Sequence, residues 1–363
     1  MTPYYDDGQV RLLQGDVREV LATLEAESVQ TCVTSPPYWS LRDYKVPPTI
    51  WGGDELHIHD WESAGSREGF TGSKRWQHPT DDGEGRTREN SGEDWGKVQQ
   101  GESCACGAWR GCLGLEPTPE MFIEHTVMVF REVRRVLRND GTLWLNIGDS
   151  YAGSWGSQGH FRESTTNNKQ ISRHQILNHP KLARKTGAIP PGSGLKEKDL
   201  VGIPWMLAFA LRADGWYLRQ EIIWHKPNPM PESTKDRCTK AHESIFLLTK
   251  RPRYYYDQDA IREPSPDGPV LLGANKRSVW TVPTAPFAEA HFATFPPALI
   301  EPCILAGAPE GGVVLDPFVG SGTTAMVARR LGRRAIGIDL SAQYLEMAVR
   351  RAGGQLAMIG GVE

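Results

Sequence analysis

Val313-Val314-Leu315-Asp316-Pro317-Phe318-Val319-Gly320-Ser321-Gly322-Thr323-Thr324 is the stretch that decides the fold. Val313 to Asp316 is a short apolar, β-branched run, the pattern of a buried strand. Pro317 to Thr323 is a glycine loop. Thr324 to Leu331 has helical spacing, with Gly332 just past its end. Ala335 to Asp339 is another strand, and Ser341 is placed to cap a helix that runs to Arg351. Strand, loop, helix, strand is a βαβ unit. Glycines let the loop backbone approach a ligand and adopt conformations that a Cβ forbids. Asp339 lies 23 residues after Asp316, at a strand end where an acid can hydrogen-bond ribose hydroxyls. The pattern suits an adenosine-bearing cofactor. The missing third glycine argues against a dinucleotide, and the missing Gly-Lys-Ser/Thr against a nucleoside triphosphate. A loop that makes no pyrophosphate contact fits a cofactor without phosphates, such as S-adenosylmethionine.

Two further stretches extend this core toward the N-terminus. Val10 to Leu13 predicts a strand, Gln14-Gly15-Asp16 a turn, and Val17 to Leu24 a helix. Val29 to Thr34 is a buried strand that stops at Ser35-Pro36-Pro37. Thr118-Pro119-Glu120 opens a helix expected to reach Arg138, where Asn139-Asp140-Gly141 ends it. Thr142 to Ile147, Leu218 to Trp224 and Ser244 to Thr249 read as strands, and Ile203 to Arg212 as a helix. Arg131, Arg134, Arg135 and Arg138 read as a solvated helix face.

Thr34-Ser35-Pro36-Pro37-Tyr38-Trp39 follows the buried 29–34 strand. Its two prolines remove backbone donors and stiffen the turn, while their carbonyls remain as acceptors. Ser35 adds a hydroxyl, and Tyr38 and Trp39 add flat faces. That suits a planar amine, although a Pro-Pro turn at a strand end also has an ordinary structural use. Together, Ser-Pro-Pro-Tyr and Asp-Pro-Phe-x-Gly-x-Gly-Thr-Thr resemble the DNA amino-methyltransferases, with the motif order of their β group.

The resemblance implies a Rossmann-like α/β methyltransferase fold, a mostly parallel sheet with helices on both faces. It implies S-adenosylmethionine as cofactor and DNA as partner. The cofactor residues are then Asp16, Thr34, Phe295, Asp316, Phe318, Gly320, Ser321, Gly322, Thr323, Thr324 and Asp339. Ser35, Pro36, Pro37 and Tyr38 become the catalytic turn, with Tyr38 stacking on a flipped-out base. The segments Ile222 to Asn228 and Ala241 to Ser244 resemble the target pocket. Members with Ser before Pro-Pro usually act on cytosine N4, and those with Asp on adenine N6. Ser35 therefore points to cytosine N4, with adenine N6 as the alternative. Methylation of a protein glutamine amide fits less well, because such enzymes carry Asn-Pro-Pro-Tyr after the cofactor loop. Pro302-Cys303 raises cytosine C5 chemistry through a thiol nucleophile, but an apolar run from Ala298 to Leu305 places it in core helix.

The expected organisation is core at 1–50, 116–150, 201–249 and 291–363. Polar inserts occupy 51–115 and 151–200, and a short target-recognition region 250–290. Lys250 to Tyr256 combines basic and aromatic residues, as phosphate contact with base stacking requires, or as a strand with surface Arg also gives. Lys169, Arg173, His174, Lys181, Arg184 and Lys185 give the second insert a positive character. In the first insert, His57, His59, Cys104 and Cys106 offer two imidazoles and two thiols, a zinc ligand set. The spacing of one residue within each pair is tighter than usual, so free thiols in a loop are the alternative. Cys32, Cys238 and Cys303 read as packing or loop residues.

Composition bounds these readings. The 363 residues carry 41 Lys+Arg against 44 Asp+Glu, which excludes a generally basic nucleic-acid coat but allows a local basic groove. Gly (38) and Pro (26) are abundant, so loops are extensive. No apolar run reaches the roughly 18–20 residues of a membrane span. Met1 to Gln14 is acidic and polar, so no signal segment is expected. Six Cys in so long a chain suggest a reducing, cytoplasmic setting. The resemblance is compatible with a homodimer and a cognate restriction enzyme as partners, and the sequence decides neither.

Overall fold

The chain alternates short apolar strands with amphipathic helices, and its backbone settles accordingly into a twisted sheet flanked by helices. The computed structural model describes residues 2–40, 43–44, 46–54, 56–63, 66–68, 97–99, 101–152, 194–264, 273–284 and 295–353. In chain order the first strands are β1 (Tyr5–Asp6), β2 (Val10–Gln14), β3 (Val29–Thr34), β4 (Thr49–Trp51), β5 (Glu62–Ser63) and β6 (Ser66–Glu68). Then come β7 (Lys97–Gln99), β8 (Glu102–Ser103), β9 (Trp109–Gly111), β10 (Leu137–Ile147), β11 (Tyr217–His225) and β12 (His242–Thr249). The last are β13 (Val279–Thr281), β14 (Val313–Asp316) and β15 (Arg334–Asp339). The helices are α1 (Val17–Thr23), α2 (Pro119–Val136), α3 (Ile203–Ala213), α4 (Pro297–Gly307), α5 (Thr323–Arg330) and α6 (Ala342–Ala352).

The chain divides into two compact units. The first comprises Met1–Tyr38, Met121–Asp149 and Gly202–Glu363. It holds a nine-stranded sheet in the order β1-β2-β15-β14-β3-β10-β12-β11-β13. The run β2-β15-β14-β3-β10 is parallel throughout, and β12 is antiparallel to both of its neighbours. Every residue of β3 is buried, as expected of a central strand covered on both faces. Leu12, Val33, Trp144, Leu299, Ile304, Val327 and Leu345 are among the residues of one buried cluster in this unit. The 250–290 region belongs to this first unit as far as it is described.

The second unit comprises Trp39–Glu120 and Ser150–Val201, so both inserts fall in it. Its described strands form a four-stranded sheet, β4-β9-β8-β5, and a two-stranded pair, β6-β7. Trp39, Trp51 and Trp109 are buried there, and the Trp39 indole donates to Glu116 O at 3.0 Å. The basic residues expected at Lys169, Arg173, His174, Lys181, Arg184 and Lys185 lie outside the described residues.

Three expectations change. Helix α2 stops at Val136 and passes directly into β10, so Asn139-Asp140-Gly141 lies within the strand span. Pairing with β3 shifts register between Leu137 and Thr142, a bulge that absorbs the turn-forming residues. Arg135 is not a solvated face residue. It donates to Leu21 O (2.7 Å) and Leu24 O (3.0 Å), serving carbonyls at the C-terminal end of α1. Lys250 to Tyr256 leaves the sheet after Thr249, so it is no strand. Lys250 Nζ donates to Leu137 O at 2.8 Å and its side chain is 11% exposed, which removes it as a phosphate contact.

Candidate active site

The parallel strands end at one edge of the sheet, where open α/β sheets bind ligands. The segments leaving β2, β3, β10, β14 and β15 are Gly15-Asp16, Ser35 to Tyr38, Gly148-Asp149, Pro317 to Gly322 and Leu340-Ser341. Motifs from both ends of the chain therefore meet there. β2 and β15 lie in register, with Gln14 opposite Asp339 and Gly15 N–H donating to Asp339 O at 3.1 Å.

Asp316 ties these segments together. Its Oδ1 accepts from Thr34 Oγ1 (2.6 Å) and Phe318 N (3.1 Å), and its Oδ2 from Thr324 Oγ1 (2.6 Å). It is 2% exposed, and burial pushes its carboxyl up to about 6 despite these donors. Thr34 and Thr324 thus serve the clamp that joins β3, β14 and the start of α5.

Asp339 holds the loop from the neighbouring strand. Gly320 N–H donates to its Oδ2 (3.0 Å) and Ser341 N–H to its Oδ1 (2.8 Å). Its half-buried carboxyl is also raised to about 6, with desolvation the main cause. A carboxylate has about four acceptor directions, so both oxygens keep capacity for a ligand. Gly320 (φ +48°) and Gly322 (φ +82°) are both left-handed. A Cβ on Gly322 would lie 2.7 Å from Ala348 Cα, whereas one on Gly320 would meet only Phe318 O, at 4.0 Å. Gly322 thus lets α5 and α6 pack, and Gly320 leaves open space before the loop.

The other expected cofactor residues divide by what their side chains touch. Ser321 and Thr323 accept hydrogen bonds from Arg351 Nη1 (2.5 and 3.1 Å), a partner that sequence reading missed. Asp16 caps α1 through Arg18 N (2.8 Å) and pairs with the Arg18 guanidinium. Phe318 is half-buried, and Phe295, also partly buried, packs against the core cluster ahead of α4.

The Ser-Pro-Pro-Tyr turn continues into a polar chain. Ser35 Oγ donates to Tyr38 Oη (3.3 Å), and Tyr38 Oη donates to Glu243 Oε2 (2.8 Å), with Asn146 Oδ1 a second acceptor at 3.1 Å. Lys226 Nζ forms an ion pair with Glu243 Oε1 and lies 4.2 Å from the Trp224 ring centroid. Asn146 Nδ2 donates to Ser244 O (3.2 Å), which fixes the amide orientation. A Cβ on Gly148 would lie 2.5 Å from Tyr38 Cε2, so the tyrosine ring rests on that glycine. Pro36 is buried, while Ser35, Pro37 and Tyr38 are half-buried. Asn146, Lys226 and Glu243 complete the site from β10, the end of β11 and the start of β12. Beside them, Lys240 donates to Asp149 O (3.0 Å), and desolvation lowers its pKa.

Cys303 is buried in α4 and its thiol donates to Leu299 O, so burial holds it protonated well above its ordinary range. That leaves no nucleophile for C5 chemistry at this position. Among the described residues, His57, His59, Cys104 and Cys106 come together in the second unit.

The fold and this edge define an α/β methyltransferase. The PvuII DNA methyltransferase (cytosine-N4-specific) has the same fold, with a TM-score of 0.57 and 15% identity over 98% of this chain and 90% of that one. The chain belongs to the N6/N4 DNA methylase family, which matches residues 29–350. It is 40% identical to the type II methyltransferase M.Cfr9I of Citrobacter freundii over 344 residues, 95% of this chain and 88% of the relative. It is 39% identical to M.SmaI of Serratia marcescens over 342 residues, 94% and 90% of the two chains. The protein is accordingly a DNA methyltransferase of the amino-methylating type. Among the described residues, no helix is long and apolar enough to cross a membrane.

Proposed function

We propose that this enzyme transfers a methyl group from S-adenosylmethionine to the exocyclic N4 amine of a cytosine turned out of the duplex. The observation that carries the reading is the neutral Ser35 hydroxyl before Pro36-Pro37, at the head of a hydrogen-bonded chain that ends on Glu243. The cytosine-N4-specific enzyme that shares the fold supports the choice of base.

The cleft fits the cofactor. Gly320 leaves the space, Asp339 accepts from the ribose hydroxyls, and Asp16 accepts from the adenosine side. When bound, the cofactor supplies a methyl group on a sulfonium. Asp316 holds the loop in register with β3, so the loop and the Ser-Pro-Pro-Tyr turn keep a fixed separation.

An amine conjugated to a pyrimidine is a poor nucleophile, because its lone pair is delocalised into the ring. Ser35 gives its own hydrogen to Tyr38, which leaves its oxygen lone pairs to accept from the amine. Pro36 has no N–H, so its peptide offers only a carbonyl acceptor. Two acceptors on the amine hydrogens favour a pyramidal nitrogen and stabilise the positive charge that develops there. The proton released from nitrogen moves toward Glu243 along Ser35 and Tyr38. Lys226 holds that carboxylate in place. The Tyr38 ring, supported by Gly148, faces the flipped base. The exposed Arg251 and Arg253 supply DNA contacts, and the type II methyltransferase relatives favour a cognate restriction enzyme as the partner activity.

Ser35→Ala tests the role of the turn. Methyl transfer falls steeply while S-adenosylmethionine affinity stays near wild type. Equal loss of both would place Ser35 in the cofactor cleft instead.

A further inference from the structure

The second unit contains an unassigned cluster. His57 and His59 lie in the segment from β4 to β5, and Cys104 and Cys106 in the turn from β8 to β9. The four ligand atoms all lie within 4.8 Å of one another, and Cys106 Sγ is 3.4 Å from His59 Nδ1. Bond lengths near 2.0 Å to nitrogen and 2.3 Å to sulfur put tetrahedral ligands about 3.3–3.8 Å apart. A contraction of at most about 1.0–1.5 Å would close the site.

The backbone around the cluster is built for close approach. Cys104 N–H donates to Ala108 O (2.8 Å) and Gly107 N–H to Cys104 O (2.9 Å), with Gly107 at φ +87°. This tight turn brings both sulfurs to one side. Gly53 (φ +79°) packs on the same turn, where a Cβ would lie 2.5 Å from Ala108 Cβ. Cys104 is buried, His59 and Cys106 are half-buried, and His57 is exposed. No disulfide uses these thiols; all six cysteines are free.

We propose that His57, His59, Cys104 and Cys106 bind one zinc ion as a closed structural site. Two thiolates and two imidazoles favour zinc over the hard, oxygen-seeking cations. Two thiolates also balance the charge of the ion. The site clips the loop that links the outer strands β4 and β5 to the hairpin of the inner strands β8 and β9. The described strands of the unit are only two or three residues long, so a clip at this point would hold their connecting loops together. Small units with little core commonly rely on a metal or disulfide. The site is separate from the methyl-transfer reading and stands or falls without it.

The test uses the full chain, purified without a tag or added metal. Elemental analysis finds about one zinc per chain. Replacing the zinc with cobalt(II) gives the absorption of a tetrahedral ion with thiolate charge-transfer bands. Cys106→Ser weakens those bands and lowers zinc content, whereas Cys238→Ser, at an exposed cysteine elsewhere, leaves both unchanged. The wild-type cobalt spectrum needs no variant to fold. Substoichiometric zinc together with a cobalt spectrum lacking thiolate bands overturns the proposal.

Discussion

Tyr38→Phe removes a single oxygen from the middle of the active-site chain and keeps the ring that rests on Gly148. The lost hydroxyl donates to the Glu243 carboxylate at 2.8 Å and accepts from Ser35 at 3.3 Å. A hydrogen bond to a charged group contributes about 1.5–3 kcal/mol. If the chain acts in the transition state, that energy corresponds to a roughly 12- to 160-fold slower step. The fold should lose less, because Glu243 keeps its Lys226 ion pair and a contact to Asn146 Nδ2 at 3.4 Å. Single-turnover transfer of labelled methyl groups to DNA reads the chemical step directly. Equilibrium binding of S-adenosylmethionine reads the cofactor cleft, whose affinity should stay within about twofold, or ~0.4 kcal/mol. Wild-type transfer in Tyr38→Phe would refute the proton path and reduce Tyr38 to a platform. A parallel loss of cofactor affinity would show that the hydroxyl acts through the fold.

The two loop glycines should separate folding from binding. Gly322→Ala combines left-handed backbone strain of about 1–2 kcal/mol with overpacking of about 1–3 kcal/mol against Ala348, and thermal melts should show it. Gly320→Ala carries backbone strain but no such clash, so it should melt closer to wild type and lose cofactor affinity, because its Cβ fills the space before the loop. Equal losses of stability in the two variants would contradict this assignment. Asp316 gives a pH test. The folded chain holds its proton up to about pH 6, while the unfolded chain releases it near 3.8. Stability from this group therefore falls as pH rises between those values, by on the order of 3 kcal/mol. Asp316→Asn should flatten that slope in melts between pH 4 and 7, and an unchanged slope would assign it to other groups.

The glycine-loop half of the candidate site was legible as structure because its signals are local. An apolar run, two glycines and an acid at the next strand end all fall within Val313 to Asp339, and β14, α5 and β15 form there within one residue of the expected bounds. Ser35-Pro36-Pro37 likewise announces its own stiffness. The segments that carry Lys226 and Glu243 resembled a target pocket, but Asn146 and the hydrogen bonds that join them to Tyr38 were not legible, because the members are distant in sequence. Asn146 lies 108 residues from Tyr38 and Glu243 lies 205 residues away. Only the register of β10 against β12, with Ile147 opposite Ser244, puts them together. Arg351 reaches Ser321 across 30 residues for the same kind of reason, the packing of α6 on α5. The turn signal of Asn139-Asp140-Gly141 was real but was spent on a bulge within β10, since pairing with β3 outweighs local preference. The His and Cys pairs were visible as residue types, and their convergence rests on the pairing of β4 with β9 and of β5 with β8.

The most direct measurement is mass spectrometry of nucleosides from DNA incubated with the enzyme and methyl-labelled S-adenosylmethionine. The account predicts label in N4-methylcytosine. Label in N6-methyladenine would contradict the assignment made from Ser35 while preserving the fold and the cleft. Unlabelled DNA would contradict the proposed reaction as a whole.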